Sequence, residues 1–186
     1  HHGDIAHMGM GWDDSGPVEI EPVLWEMPEG RNNLYNAAGK YLVNYKYEGG
    51  VTMQLASFNE MPQVFKDCGD TGTQWFGDDG KWVYVSRKGI QASDKELLKI
   101  KFSDKDFRFR AQRNHMRDFL DCVRSREECI APAEAGHRSA SVGHLGKIAL
   151  TLNAKLKWNP KKERFVDNEA VNSLLMRKYR GDWKLV

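Results

Sequence analysis

The chain has 186 residues, 40 % of them apolar, and its 28 basic and 26 acidic side chains leave a formal charge of +2. That is enough apolar material for a core, and the even charge excludes a disordered tail, a nucleic-acid footprint and an electrostatic membrane anchor. No apolar run approaches the roughly 18–20 residues of a membrane span, no signal peptide is visible, and Cys68, Cys122 and Cys129 form a sparse, odd set without CxxC spacing, so buried or half-buried thiols are expected rather than a disulfide framework.

The first twelve residues, HHGDIAHMGMGW, can be helical up to their glycine-rich end. His1, Asp4, Ile5 and Met8 then share one face at i, i+3, i+4 and i+7, and Gly9 and Gly11 suit a C-terminal stop. Asp13-Asp14-Ser15-Gly16-Pro17 reads as a turn. Strand character follows: Val18-Glu19-Ile20-Glu21 alternates with period two, and residues Tyr41–Tyr47 and Val51–Leu55 flank Glu48-Gly49-Gly50, a hairpin signal. Gly72–Phe76 and Lys81–Val85 flank Gly77-Asp78-Asp79-Gly80, a second one. Two hairpins and a leading strand predict an antiparallel sheet. Helices dominate the rest. Asn114–Arg126 is amphipathic, with Met116, Phe119, Leu120 and Val123 on one side. Pro132 suits the first turn of a helix over Ala133–Ala154, with a buried stripe of Val142, Leu145, Ile148, Ala149 and Leu152. A short helix over 167–175 takes Asp167 as its N-cap. Lys161-Lys162 with Arg164 is a solvated turn. The expected fold class is α+β, with helices on one face of the sheet.

No GxGxxG follows a strand and no βαβ alternation occurs, so nothing in the sequence cradles a dinucleotide phosphate; GxSxG, HExxH and P-loop patterns are absent as well. His137 and His144 are seven apart and share a helix face. A two-histidine metal site lacks a third ligand there, and buried histidines locking the helix to the sheet are the preferred reading. Trp75, Phe76, Trp82 and Tyr84 can stack on sugar rings, but burial between sheets is preferred.

Four segments, in order, resemble the Gfo/Idh/MocA family, which includes glucose–fructose oxidoreductase and inositol dehydrogenase, in a bacterial branch of dehydrogenases. They are HHGDIAHMGMG with DDSGPVEI, NHMRDFLDCVRSR, GHRSASVGHLGKIA, and LKWNP followed by Arg177–Trp183. The resemblance covers nearly the whole chain. It implies a two-part enzyme: an N-terminal Rossmann domain that binds NAD or NADP and supplies a lysine, and a C-terminal α+β domain with helices on one face of a large, open, mostly antiparallel sheet that serves oligomerisation. Residues 1–186 then form that C-terminal substrate-binding and oligomerisation domain, beginning inside a junction helix with the motif Asp-x-x-x-His-x-x-Asp. His1 and Asp4 match its last two named positions; the leading aspartate, the lysine and the Rossmann domain lie before His1.

By that resemblance His1 is the catalytic proton-transfer residue, shared with the lysine. Histidine suits the work because its unperturbed pKa is ~6.5. Asp4 either orients the imidazole, contacts a sugar hydroxyl, or pairs elsewhere as a surface carboxylate. His2 and His7 point away from the His1 face; a structural role is preferred for both, with His2 able to line the pocket, and Trp12 is a candidate for the pocket rim. The implied activity is NAD(P)-dependent oxidation of a ring hydroxyl of a sugar, glycoside or cyclitol. The alternatives are glycoside cleavage by transient oxidation and elimination, and a non-catalytic dimerisation or carbohydrate-binding module. This chain alone is expected to bind no cofactor or metal and to be inactive. Its expected partners are the Rossmann domain, the substrate, and further copies in a homodimer or tetramer joined through the sheet. Bacterial cytoplasm and periplasm both stay open as compartments.

Overall fold

The computed structural model of the protein describes residues 1–28, 37–57, 71–106, 108, 110 and 114–183, so Cys68 lies outside the described residues. The chain forms two compact units, His1–Asp14 with Pro62–Ala140, and Ser15–Met61 with Ser141–Val186. Residues 133–140 of the longest helix belong to the first unit and residues 141–152 to the second.

The second unit is built on strands β1 (Glu19–Glu26), β2 (Lys40–Lys46), β3 (Thr52–Ala56), β7 (Leu156–Asn159) and β8 (Arg164–Phe165), in the order β3-β2-β1-β7-β8 with every neighbouring pair antiparallel. The β2–β3 hairpin forms because Gly49 and Gly50 both take positive φ, 85° and 87°, which a Cβ would penalise. Pro22 sits within β1 because the register slips between Pro22 and Leu24, and because β7 pairs only with Glu19 and Ile20; a proline without an N–H is tolerated at such a bulge. Registry puts Ile20, Pro22, Val43, Tyr45, Leu55 and Leu156 on one face. In the same unit, the second half of α3 (Ala133–Leu152) contributes Val142, Leu145, Gly146, Ala149 and Leu150 to the core. The Tyr45 hydroxyl donates to the Val142 carbonyl at 2.9 Å, and burial pushes the Tyr45 phenol pKa well up.

Asn172, the last residue of the short helix α4 (Glu169–Asn172), satisfies the free edge of β8: its side chain accepts from Phe165 N at 2.7 Å and donates to Phe165 O at 3.1 Å. An extended residue left at a buried edge would otherwise hold two unpaired backbone groups. Trp158 and Phe165 meet edge-on across β7–β8, with centroids 4.9 Å apart.

The first unit holds α1 (His2–Met10), the three-stranded antiparallel sheet β4 (Gly72–Phe76), β5 (Trp82–Ser86) and β6 (Gly89–Ala92), α2 (His115–Ser125) and the first half of α3. Gly11 closes α1 in the left-handed region at φ 66°. A side chain at Gly9 would collide with the Trp75 ring, the nearest atom lying 2.6 Å from an ideal Cβ, so glycine permits α1 to approach β4 there. Asn114 caps α2 by accepting from Arg117 N at 2.9 Å. Asp118 is buried on α2, ion-paired with Arg110 and accepting from Ile130 N at 2.9 Å.

The α+β class, the antiparallel pairing, both hairpins, α1 and α3 follow the sequence expectation. Several details differ. The two hairpins belong to two sheets, one in each unit, rather than to a single broad one. Asn168, not Asp167, caps α4: its side chain accepts from Val171 N at 3.2 Å, while Asp167 takes φ 50° in the preceding turn. His137 and His144 are exposed, not buried as locking residues, because they fall on the side of α3 away from its Val142–Leu145–Ala149 stripe. Met116, Phe119, Leu120 and Val123 of α2 are also exposed, and the helix buries Asp118 and Cys122 instead. Among the four aromatics of β4 and β5, only Tyr84 is fully buried; Phe76 is exposed and the two tryptophans are half-buried.

The opposite face of the five-stranded sheet in the second unit is polar over much of its area. Glu19, Glu21, Asn44, Lys46, Thr52 and Gln54 lie there by registry. Gln54 Nε2 donates to Asn44 Oδ1 at 2.9 Å, and Lys155 bridges Glu19 at 2.8 Å and Glu21 at 3.5 Å. Leu24, Leu42 and Ala56 supply an apolar end to the same face.

Candidate functional site

A pocket of about 250 Å³ opens in the first unit, lined by His1, His2, Asp4 and Ile5 from the start of α1 and by Ser86 and Arg87 from the end of β5 and its turn. Three of the four residues singled out from the sequence therefore converge. His1 is the exposed N-cap residue of α1, and its carbonyl receives Ile5 N at 3.1 Å. Its side chain makes no capping hydrogen bond. His2 is half-buried, and its carbonyl accepts from the Thr73 hydroxyl at 2.9 Å, which ties the first turn of α1 to β4.

Asp4 lies one turn further. Its Oδ1 is 2.8 Å from the Ser139 hydroxyl on α3, and the same hydroxyl lies 2.8 Å from the Ala135 carbonyl, so its one hydrogen serves two acceptors. Asp4 thus lines the pocket and has a partner elsewhere in the same unit, which is the pairing that its reading as a surface carboxylate expects. Trp12 does not line this pocket. It stands beyond the other end of α1, edge-on to His7 with centroids 6.0 Å apart. His7 itself is fully buried, as its placement away from the His1 face anticipates. Burial lowers its pKa below the usual histidine value, against the raising pull of Asp13, Asp4 and its hydrogen bond with the Trp12 backbone.

Ser86 and Arg87 escaped the sequence reading, which ended the strand at Val85. Ser86 pairs with Gly89 across the β5–β6 hairpin, so Arg87 and Lys88 form a two-residue turn. The Ser86 hydroxyl accepts from Lys88 N at 3.1 Å and fixes that turn. The available signal was the Arg-Lys-Gly step itself, since glycine after a polar pair marks a hairpin; Gly89 takes φ 134°.

Chemically, the pocket offers two imidazoles that can accept or donate protons, one carboxylate, one hydroxyl and one permanent cation. Among the described residues no group of three or more His, Cys, Asp or Glu is placed to hold a metal ion. The parallel βαβ unit with a glycine-rich turn opening on a helix, which cradles a dinucleotide phosphate in the doubly wound fold, is absent among the described residues, where each strand pair of both sheets is antiparallel. No helix among the described residues is long and apolar enough to cross a membrane.

No curated protein and no solved structure matches the chain. A family model described as the oxidoreductase family, C-terminal alpha/beta domain, matches residues 3–185. The antiparallel α+β architecture agrees with that description, and the chain belongs to the Gfo/Idh/MocA oxidoreductase family, as its C-terminal α/β domain.

Proposed function

We propose that the chain is the substrate-binding part of an NAD(P)-dependent oxidoreductase that oxidises a ring hydroxyl of a sugar, glycoside or cyclitol. The observation that carries this reading is the pocket uniting His1, His2 and Asp4 with Ser86 and Arg87 within one unit of an oxidoreductase-family domain. Polyol recognition needs several hydrogen-bonding groups of both kinds converging on a concave surface, and this lining supplies them. The nicotinamide is held by a nucleotide-binding domain outside these residues.

Within the pocket, His1 accepts the proton of the hydroxyl being oxidised. A neutral imidazole suits this because its pKa class lies near working pH. Asp4, held towards Ser139, orients the ligand by accepting from a neighbouring hydroxyl. Trp12 supplies a rim only to a ligand long enough to pass the end of α1. Assembly into a homodimer or larger is part of the same proposal, with the apolar end of the sheet face at Leu24, Leu42 and Ala56 as the contact.

The test is turnover by the two-domain enzyme with NAD or NADP and a panel of sugars and cyclitols, read as reduced cofactor. His1→Gln is expected to lower kcat by roughly 10²–10⁴-fold, the range for loss of a general base, with thermal melts of parent and variant verifying that folding is intact. The chain on its own is expected to give no turnover. Full activity in His1→Gln defeats the assignment of the base.

A further inference from the structure

Arg87 gives the pocket a charge that a neutral polyol does not use. Its guanidinium is always protonated and presents five N–H donors in a planar fork. Asp4 is the single acidic side chain in the lining, yet no ion pair joins it to Arg87, and its carboxylate is engaged by Ser139. No hydrogen bond or ion pair engages the Arg87 side chain among the described residues, while its hairpin neighbour Ser86 is committed to fixing the turn. The mount is firm: Ser86 and Gly89 close a two-residue turn on the central strand of the β4-β5-β6 sheet. An unpaired guanidinium on a fixed turn, sharing a polar pocket with two imidazoles, suits an oxyanion, which it can grip with two parallel N–H donors.

We propose that Arg87 is the specificity-determining residue of this pocket and that the substrate is a polyol bearing an oxyanion, a carboxylate or a phosphate, rather than a neutral sugar. This rests on the reading of the pocket as the substrate site. The anionic group lies against Arg87, which leaves the ring hydroxyls towards His1, His2 and Asp4. The oxyanion is therefore a handle and not the reacting group, and it orients the ring before any proton moves.

Binding and turnover separate this inference from the reading beneath it. The chain is titrated with D-glucuronate, D-glucose 6-phosphate, D-glucose and acetate, by calorimetry and by the ring-proton resonances of His1 and His2. The expected result is that glucuronate or glucose 6-phosphate binds at least ten times more tightly than glucose and than acetate and moves both histidine signals. Whichever of the two anions binds identifies the group as carboxylate or phosphate. Arg87→Gln is expected to weaken that binding about ten-fold, and Arg87→Lys to restore part of it. Arg87 sits exposed on a turn, so an unchanged thermal melt of each variant verifies that folding is intact. Glucose binding as tightly as both anions, acetate binding as tightly as glucuronate, no binding of either sugar anion, or an Arg87→Gln variant equal to the parent overturns the inference. Turnover of neutral sugars by the two-domain enzyme, unaffected by Arg87→Gln, overturns it as well while the oxidoreductase reading stands.

Discussion

Gly146 and Gly143 lie one turn apart on α3, and the structure assigns opposite effects to the same substitution at each. An ideal Cβ at Gly146 would collide with the Tyr45 hydroxyl oxygen and stand 3.2 Å from the ring carbon that bears it. Tyr45 is fully buried and its hydroxyl donates to Val142 O. Gly146→Ala therefore forces the ring aside. Overpacking of this kind costs about 1–3 kcal/mol, and a buried hydroxyl displaced from its acceptor adds roughly 1–3 kcal/mol. The helix gains about 1 kcal/mol from replacing glycine by alanine. The net expectation is a loss of roughly 1–5 kcal/mol. At Gly143 a Cβ meets nothing within 4 Å, so Gly143→Ala keeps only the helix term and stabilises by about 0.5–1 kcal/mol.

A double mutant isolates the cause. Tyr45→Phe deletes the oxygen that the new methyl meets and by itself costs about 0.5–1.5 kcal/mol for the hydrogen bond. Combined with Gly146→Ala it leaves the 3.2 Å contact, which small shifts can relieve. The pair is then expected to be more stable than the sum of the singles by about 1–3 kcal/mol, the usual range for contacting residues. Urea unfolding followed by circular dichroism measures all four variants. Additive effects, or a Gly146→Ala variant as stable as the parent, would refute the reasoning.

Two further expectations concern the first unit. His7 is buried with a lowered pKa, so the unfolded chain binds its proton more readily than the folded one. Its contribution to stability is complete above the unfolded value of ~6.5 and declines as pH falls through that value towards the lowered folded one, with a slope of at most ~1.4 kcal/mol per pH unit; urea midpoints across that window, compared between the parent and His7→Gln, check it, and parallel profiles would count against it. Asp118→Ala removes a buried carboxylate that pairs with Arg110 and accepts from Ile130 N. The expected destabilisation is about 2–4 kcal/mol, below the full range for a broken buried pair because Arg110 is half exposed to solvent; a change under about 0.5 kcal/mol in the same unfolding assay, the scale of a surface substitution, would show that the cluster does not support the unit.

What the sequence discloses follows the physics of each signal. Period-two alternation around paired glycines marks β2–β3, and the glycine stop marks the end of α1, because each depends on residues adjacent in sequence. The periodicity of α2 is equally visible, but not which side is buried. Asp118 and Cys122 turn inwards because Arg110 and the Ile130 backbone supply partners for the carboxylate, and these are tertiary facts. The cap of α4 falls one residue later than expected because Asp167 and Asn168 both make good caps, and only the positive φ of Asp167 decides between them. In the candidate site, His1 and Asp4 are legible through the motif whose last two named positions they match, and His2 through its place beside His1. Ser86 and Arg87 are distant in sequence and sit beside β6, a four-residue strand without an apolar alternation to announce it. Gly146 carries no local signal at all, since its reason is the Tyr45 ring about a hundred residues away.

The two sides of the pocket are mechanically connected through Thr73. Its hydroxyl donates to the His2 carbonyl, and its backbone pairs with Val85 across β4–β5, two residues before Arg87. Thr73→Val keeps the shape and removes the donor. The side chain is buried, so the loss is expected to be about 1 kcal/mol. The more informative effect is local. Without that tether the first turn of α1 opens more readily, and hydrogen exchange of the Ile5 and Ala6 amides is expected to speed up more than the fall in global stability explains. Because the first turn of α1, which carries His1 and His2, is then less firmly held to the sheet that carries Arg87, ligand affinity should fall as well, while Arg87 itself stays in its turn. Exchange at Ile5 and Ala6 that rises only in proportion to global unfolding would mean that α1 holds its place by packing of Gly9 on Trp75 alone, and that the hydroxyl contributes stability without positioning the site.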